Sequence, residues 1–447
     1  MQKTTRQKMT GLFLTLIITT VLLGTQIQKL LTIPSHQFLS VGDPLELNLL
    51  LPKQVLNNLE INIHSKDFGK MHLKGNAAVN TVMNQSSPVF STPGEFKMEF
   101  KLFGLIPLRQ MVVNVVPPIN VVPGGQSIGV LLHSQGVIVV GKSSIVDSRG
   151  KKSNPAEDAG IIVGDIIQKI NGKPVKTDSQ MRDQIESLGK KGQKIVLEIK
   201  RQKHVFKTTI KPIYCQETKR YRIGLFIRDS AAGVGTLTFY EPKSKKYGAL
   251  GHVITDIDTA QEIDLADGKI IGASIEDIRP GKKGQPGEKI GIFKGDSELI
   301  GNITQNTQFG IFGHLQKKIN NPIYNKTLPI ALSGQVHEGS AQILTVLDGN
   351  KIESFDIKIE QVTPQSRPEG KGLVIKVTDK RLLEKTGGIV QGMSGSPIIQ
   401  NNKFVGAVTH VFVNDPTKGF GVLAEWMLME AGLIPDTVNN STNLKVG

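Results

Sequence analysis

The sequence predicts a mostly β chain built from several domains. Short apolar runs with period-two alternation recur along its 447 residues, and Gly, Asp and Asn turns separate them. Two longer segments break this rule and favour helices, an apolar run near the N-terminus and an amphipathic one near residue 180. The length suits about three domains of ordinary size. We therefore expect a leader segment, a small β domain and two larger units.

Composition narrows the classes of protein to consider. The chain has 54 Lys+Arg against 39 Asp+Glu, a net charge of +15, and aromatics make up 5% of it. A stacking surface for single-stranded nucleic acid needs more aromatic side chains than this, so no nucleic-acid partner is expected. The single cysteine, Cys215, excludes an intrachain disulfide and a multi-cysteine zinc site. We expect no metal or cofactor, and we interpret Cys215 as a packing thiol.

The N-terminus resembles an export signal. Lys3, Arg6 and Lys8 precede an uncharged run from Gly11 to Gly24. Fourteen residues favour a signal peptide, because a helix of that length spans only about 21 Å. The absence of a small-residue cleavage site favours an uncleaved membrane anchor instead. We assign residues 1–35 to a signal peptide or a membrane anchor, and we expect the rest of the chain outside the cytoplasm.

Residues 36–116 alternate in the manner of half-buried strands. Clear examples are residues 59–63 and 96–102. A small β-rich domain follows from this pattern, and no catalytic constellation lies in it. A proline-rich linker then leads into the next unit.

Residues 122–212 carry the densest set of local signals. An apolar strand, a short turn of helix, a strand with an Asn171-Gly172 turn, a helix capped near Thr177 and two more strands follow in order. This order resembles the bacterial type of PDZ domain. The resemblance implies that an extended peptide pairs with the strand beginning at Ile128. Two groups of residues would then bind the peptide: Ser127, Ile128, Gly129 and Val130 at its end, and Met181 and Ile185 along its side. Met181 and Ile185 suit the domain core equally well, and Leu188 suits it better.

Residues 213–447 return to short strands and indicate a barrel or a pair of barrels. The segment Gly392–Pro397 places a serine among small residues just before an apolar strand. It resembles the serine site of chymotrypsin-like proteases, with Met393 where Asp is common. Ser394 would be the nucleophile, and the amides of Gly392 and Ser394 would form the oxyanion hole. A Gly/Ser hairpin turn without chemistry is the alternative.

A general base for this serine must titrate near neutral pH, so a histidine is expected. His252 ends an apolar strand between small residues and lies upstream of the serine, as the histidine does in the same proteases. His410 and His314 are its nearest rivals. No histidines show metal-ligand spacing.

The segments Gly248–Asp256 and Gly388–Pro397, together with the domain order, resemble the stage IV sporulation protein B family of peptidases from endospore-forming bacteria. The resemblance covers essentially the whole chain. It implies a serine endopeptidase in the space between the mother-cell and forespore membranes. Such peptidases cleave the membrane-bound regulatory subunit of an intramembrane metalloprotease complex, which leads to pro-sigma-K processing, and they cleave themselves. It also implies that Asp379 completes a Ser-His-Asp triad. The other carboxylates available for that position are Asp256, Asp258, Asp264, Asp348 and Asp356.

Several alternatives stay open at this point. Asp379 lies beside Lys380 and Arg381, so it suits a surface ion pair as well. The chain could also be a general envelope PDZ protease, or an inactive scaffold that binds peptide tails. We interpret the excess positive charge as solubility and attraction to an anionic membrane surface.

Overall fold

The computed structural model describes residues 35–45, 57–65, 69–74, 89–293, 299–363, 365 and 368–435. The anchor or signal segment at residues 1–35 therefore lies outside the described residues except for its last position. In the described part, no helix is both long and apolar enough to cross a bilayer.

Most of the regular secondary structure in these residues is β-strand. In chain order they are β1 His36–Ser40, β2 Leu59–Ser65, β3 Gly69–Lys74, β4 Gly94–Leu102, β5 Ile106–Val116, β6 Asn120–Pro123, β7 Ser127–Lys142, β8 Ile145–Val146, β9 Lys152–Ser153, β10 Ile166–Ile170, β11 Lys173–Pro174, β12 Ile195–Arg201, β13 His204–Ile210, β14 Ile213–Cys215, β15 Arg220–Arg222, β16 Leu225–Tyr240, β17 Lys246–Ala249, β18 Leu265–Arg279, β19 Glu288–Phe293, β20 Leu299–Asn302, β21 Gln305–Thr307, β22 Gly310–His314, β23 Leu328–Pro329, β24 Gly339–Val346, β25 Ile352–Val362, β26 Leu373–Val377, β27 Pro397–Gln400, β28 Lys403–Phe412 and β29 Asp415–Leu423. The α-helices are α1 Pro155–Asp158, α2 Asp178–Lys190, α3 Lys380–Thr386 and α4 Ala424–Glu430.

The N-terminal unit is a five-stranded sheet in the order β1-β5-β4-β2-β3. Alternation along β4 buries Phe96, Met98 and Phe100 on one face, where they form a core with side chains of β2 and β5. The five strands lie in the part of the chain where the sequence alternates.

A second core lies between α2 and the strands β7, β10 and β12. Helix α2 begins after Thr177, whose side chain accepts a hydrogen bond from the Gln180 amide. Its inner face buries Met181 and Ile185 in this core, and Leu188 is packed against it. The sequence allowed Met181 and Ile185 either to bind a peptide or to pack in the domain core. In the structure they are buried in that core.

Strand β7 is shared by two parts of the molecule. Its second half pairs with β10 and contributes Val137 and Val139 to the α2 core. Its first half contributes Ile128 and Val130 to a different core, formed with β16, β17, β18 and β22. Strand β16 pairs with β7 from Leu225↔Lys142 to Thr236↔Ser127. A long two-stranded ribbon therefore connects the two parts.

This pairing corrects the predicted peptide site at Ser127, Ile128, Gly129 and Val130. On one side of the strand Ile128 lies opposite Gly235 of β16, and on the other side it lies opposite Gly272 of β18. Strand addition needs an unpaired edge, because the incoming peptide must hydrogen bond to free backbone groups. Neither edge is free at this position, so the strand serves as a structural element of the sheet.

The C-terminal strands close into a barrel in the order β24-β25-β26-β29-β28-β27. Its interior is apolar and includes Ile343, Ile375 and Val408, each without exposed surface. Closure removes free strand edges. The loop between α3 and β27 carries the predicted nucleophile at the side of the barrel that faces β16 and β17.

Candidate active site

Ser394 lies on a loop that two strands hold from opposite sides. Thr236 of β16 donates its amide to the Ser394 carbonyl at 3.0 Å and its hydroxyl to the Gly392 carbonyl at 2.8 Å. From the barrel side, the Ser394 hydroxyl donates to the Thr409 carbonyl at 2.8 Å. The side chain is half-buried. Its Oγ is therefore fixed at the junction between the ribbon sheet and the closed barrel.

The amides of this loop divide into two groups. Those of Met393 and Gly395 donate to the carbonyls of Val390 and Val408. In the part of the chain that the structure describes, no acceptor faces the amides of Gly392 and Ser394. Two unused donors next to a nucleophilic hydroxyl are what an oxyanion hole requires. This geometry is consistent with the role that the sequence assigns to Gly392 and Ser394.

His252 lies in the turn that follows β17. Leu250 and Gly251 both adopt positive φ, at 70° and 74°. A Cβ on Gly251 would lie only 2.9 Å from Cγ2 of Thr409. Glycine is needed there because the turn packs directly on β28. The His252 ring then lies 5.0 Å from the ring of His410, centroid to centroid. Ser394 and His252 thus both contact the same two-residue segment, Thr409–His410.

The tautomer of His252 follows from its hydrogen bond. Its Nδ1 lies 2.8 Å from the Val253 carbonyl oxygen, which can only accept. Nδ1 therefore carries the proton, and Nε2 of the neutral ring is left as the basic nitrogen. Burial lowers the pKa of His252, and the bond to Val253 opposes that shift. The ring is consequently neutral at pH 7, as a general base must be.

Asp379 is not brought to His252. It caps α3 by accepting the Arg381 amide at 2.9 Å, and it forms an ion pair with the Arg381 guanidinium at 2.8 Å. The side-chain hydrogen bond from Arg381 is the main reason that its pKa is below the ordinary value. Phe420 of β29 lies opposite both Val374 and His410. Asp379 lies five residues beyond Val374, past the end of β26 at Val377, where it caps the start of α3.

Asn306 and Arg228, which the sequence did not single out, hold the loop after His252. Asn306 accepts the Ile254 amide at 2.8 Å and donates to the carbonyls of Ile254 and Ile263. Arg228 donates to the buried Asp256 at 3.0 Å. Burial alone would raise the pKa of Asp256, but hydrogen bonds from Thr259 and Arg228 outweigh it and keep the carboxyl ionised. No motif marks Asn306 or Arg228, because their partners are distant in sequence.

Comparison with known families adds independent information. Residues 219–428 match the family model described as SpoIVB peptidase S55, and residues 127–211 match that of the PDZ domain. No curated protein matches the chain.

Solved structures with similarity include the PDZ domain of the SdrC-like protein from Listeria monocytogenes. It is 25% identical and covers 21% of this chain and 87% of its own, with a TM-score of 0.17. The active form of the Rv3671c protease from M. tuberculosis is 14% identical over 45% of this chain and 75% of its own, with a TM-score of 0.24. Its inactive form is 13% identical over 44% and 84%, also with a TM-score of 0.24.

Proposed function

We propose that this chain, a SpoIVB-like PDZ-containing serine peptidase, is an endopeptidase of sporulation signalling with Ser394 as nucleophile and His252 as general base. One observation carries the assignment of residues. Ser394 and His252, 142 positions apart by their numbers in the sequence, both lie against Thr409–His410, and two unused amides flank the serine.

The proposed reaction follows the usual course of acyl transfer. His252 Nε2 takes the hydroxyl proton as Ser394 Oγ attacks the peptide carbonyl carbon. The amides of Gly392 and Ser394 donate to the oxygen as it becomes negative. The imidazolium then gives its proton to the leaving amine, the C–N bond breaks, and water hydrolyses the acyl-enzyme with His252 again as base.

Asp379 as the third member of a triad is supported only by the family resemblance. In this structure Arg381 occupies its carboxylate. The catalytic pair of Ser394 and His252 is therefore the core of the proposal, and the orientation of His252 is supplied here by the Val253 carbonyl and the loop that Asn306 holds.

The substrate proposed from the family resemblance is the membrane-bound regulatory subunit of an intramembrane metalloprotease complex, whose cleavage leads to pro-sigma-K processing. The same chain would also cleave itself. We further propose an exported or membrane-anchored location between the mother-cell and forespore membranes. The net charge of +15 supports contact with an anionic membrane surface, where such a substrate resides.

A serine-directed fluorophosphonate probe tests the site without a known substrate. Oγ attacks phosphorus, fluoride leaves, and His252 takes the hydroxyl proton. Wild-type chain is expected to take the label, and Ser394→Ala and His252→Ala are expected to lose it. Ser396→Ala and His410→Ala are matched controls from the same segments and keep it. Labelling of the Ser394→Ala chain would contradict the assignment. An unlabelled wild type that still binds peptide tails would favour the inactive scaffold.

The same variant tests self-cleavage. The N-terminal sequences of mature protein from wild-type and Ser394→Ala cells are expected to differ, with a ladder only in the wild type. Identical ends would show that another protease trims the chain.

A further inference from the structure

Lys289 is a buried lysine directly beneath the Gly392–Ser394 loop. Its side chain is 5% exposed, and Nζ donates to Thr345 Oγ1 at 2.6 Å. Among the described residues, no carboxylate forms an ion pair with it, and burial lowers its pKa to about 7. Burying an ammonium group without a counter-charge is unfavourable, so a hydrophobic residue would be expected on stability grounds alone.

The strand that carries Lys289, β19, buries a charged side chain and exposes apolar ones. In β19 Lys289 points inward, while Ile290 and Ile292 are 40% and 60% exposed. Because side chains alternate between the two faces of a strand, a register shift of one residue would reverse this arrangement. The observed register therefore places an amine in the interior and two isoleucines at the surface.

Lys289 contacts the loop through both its backbone and its side chain. Its amide donates to the Gln391 carbonyl at 2.9 Å, and the Gln391 amide donates to Gly287 at 2.8 Å. A Cβ on Gly392 would lie 3.1 Å from Cβ and 3.2 Å from Cδ of Lys289, so the stem runs along Gly392. Nζ is two bonds beyond Cδ, at most about 3 Å further. The amine thus lies within about 6 Å of the position that this Cβ would occupy.

We propose that Lys289 is a positioning residue of the oxyanion hole. Its stem supports Gly392, and its amine, in the protonated form, adds positive potential near the Gly392 and Ser394 amides, where negative charge develops in the transition state. In a water-excluded interior such a charge acts strongly over a few ångströms. This inference rests on the proposed function, because it requires Ser394 to react there.

The test compares two variants of the full chain in fluorophosphonate labelling, with the maximal rate kinact separated from the probe affinity KI. Lys289→Met keeps the stem and removes the amine. We expect kinact to fall by about tenfold to a hundredfold with KI unchanged and Tm not lowered. Lys289→Ala removes the stem as well, and we expect a larger loss of kinact. Lys351→Met, on an exposed turn, is the matched control and labels like the wild type.

Three outcomes decide the proposal. A Lys289→Met chain that is folded and labels at the wild-type rate would overturn it. If that variant does not fold, Thr345→Val removes the amine's hydrogen-bond partner with little change in shape, and an unchanged kinact there would overturn it equally. Labelling that survives in Ser394→Ala would instead refute the proposed function, so the two failures are distinguishable.

Discussion

The loop that carries Ser394 and the loop that carries His252 are held by different kinds of interaction. Backbone hydrogen bonds hold the serine loop, among them Gly395 to Val408 at 2.8 Å, and Met393 anchors it in the barrel core. Side chains hold the histidine loop, chiefly Asn306 and Arg228. The position of Ser394 is therefore fixed by the backbone of the closed barrel. The position of His252 is instead fixed by a few side-chain hydrogen bonds and ion pairs.

One of those side-chain cross-links begins in the half of β16 that contributes to the α2 core. Arg228 lies in β16 opposite Ile138, in the half of β7 that belongs to the α2 core. From there its guanidinium reaches Asp256 at 3.0 Å and Asp258 at 2.7 Å, both shortly after His252.

Breaking the serine loop gives the largest expected effect. Gly395 has φ of +91°, and an added Cβ would lie 2.2 Å from the Thr236 carbonyl oxygen and 2.5 Å from the Leu250 amide nitrogen. Gly395→Ala forces Ser394 and the His252 turn apart. We expect kinact for the fluorophosphonate to fall by about a hundredfold or more, since misplacement by about 1 Å is enough for that.

The control for this prediction is Gly284→Ala, which has a similar φ of +79° but no atom within 4 Å of the added Cβ. It should lower stability by about 1 kcal/mol and leave labelling unchanged. Equal labelling by the two alanine variants would show that the serine loop is not preset by its backbone.

Removing the cross-link to the histidine loop gives an intermediate effect. Arg228→Met leaves Asp256 buried without its cationic partner, so the loop should rearrange to hydrate it. We expect kinact to fall by about tenfold with little change in KI. Stability, measured by denaturant unfolding, should fall by about 2 kcal/mol, because the guanidinium is partly exposed and the pair is worth less than a buried one.

Lys142→Met is the matched control for Arg228, since it removes a surface ion pair with Glu157 and both residues lie within the PDZ match at 127–211. If both variants label at the wild-type rate, then the base does not depend on side-chain cross-links, and the contrast between the two loops does not affect catalysis.

Asp379 gives the smallest expected effect on activity. Asp379→Asn retains an N-capping side chain, so α3 should persist, and labelling should stay within about threefold of the wild type. Asp379→Ala removes the cap and the pairing with Arg381, and it should lower the free energy of unfolding by about 1 kcal/mol. A thousandfold loss of labelling in the Asn variant would show that the reactive state brings Asp379 to His252.

The sequence predicted the parts of this molecule that local patterns encode. Ser394 and His252 each lie in a short run of small residues next to a strand, which is visible without a structure. The Asn171-Gly172 turn and the α2 cap at Thr177 are likewise local. Such features depend on residues a few positions apart, so periodicity and turn chemistry are sufficient to find them.

Strand partnership is not encoded in that way. Ile128 pairs with Gly235 and Gly272, more than a hundred residues away, and alternation along a strand does not specify its neighbours. The same limit applies to Lys289, since its inward orientation follows from the register of β19 against β18. Asp379 illustrates the limit of family resemblance, because its position in the motif does not fix the partner of its side chain.

The ribbon of β7 and β16 also governs how the molecule loses its structure. Each strand supplies side chains to both the α2 core and the sheet next to the barrel. Melting one core would strip the other of a strand and expose unpaired backbone at its edge. The α2 core and the sheet next to the barrel are thus expected to unfold in a single cooperative transition. A cut that separates these two regions would leave two fragments with unpaired strand edges, which are prone to aggregate.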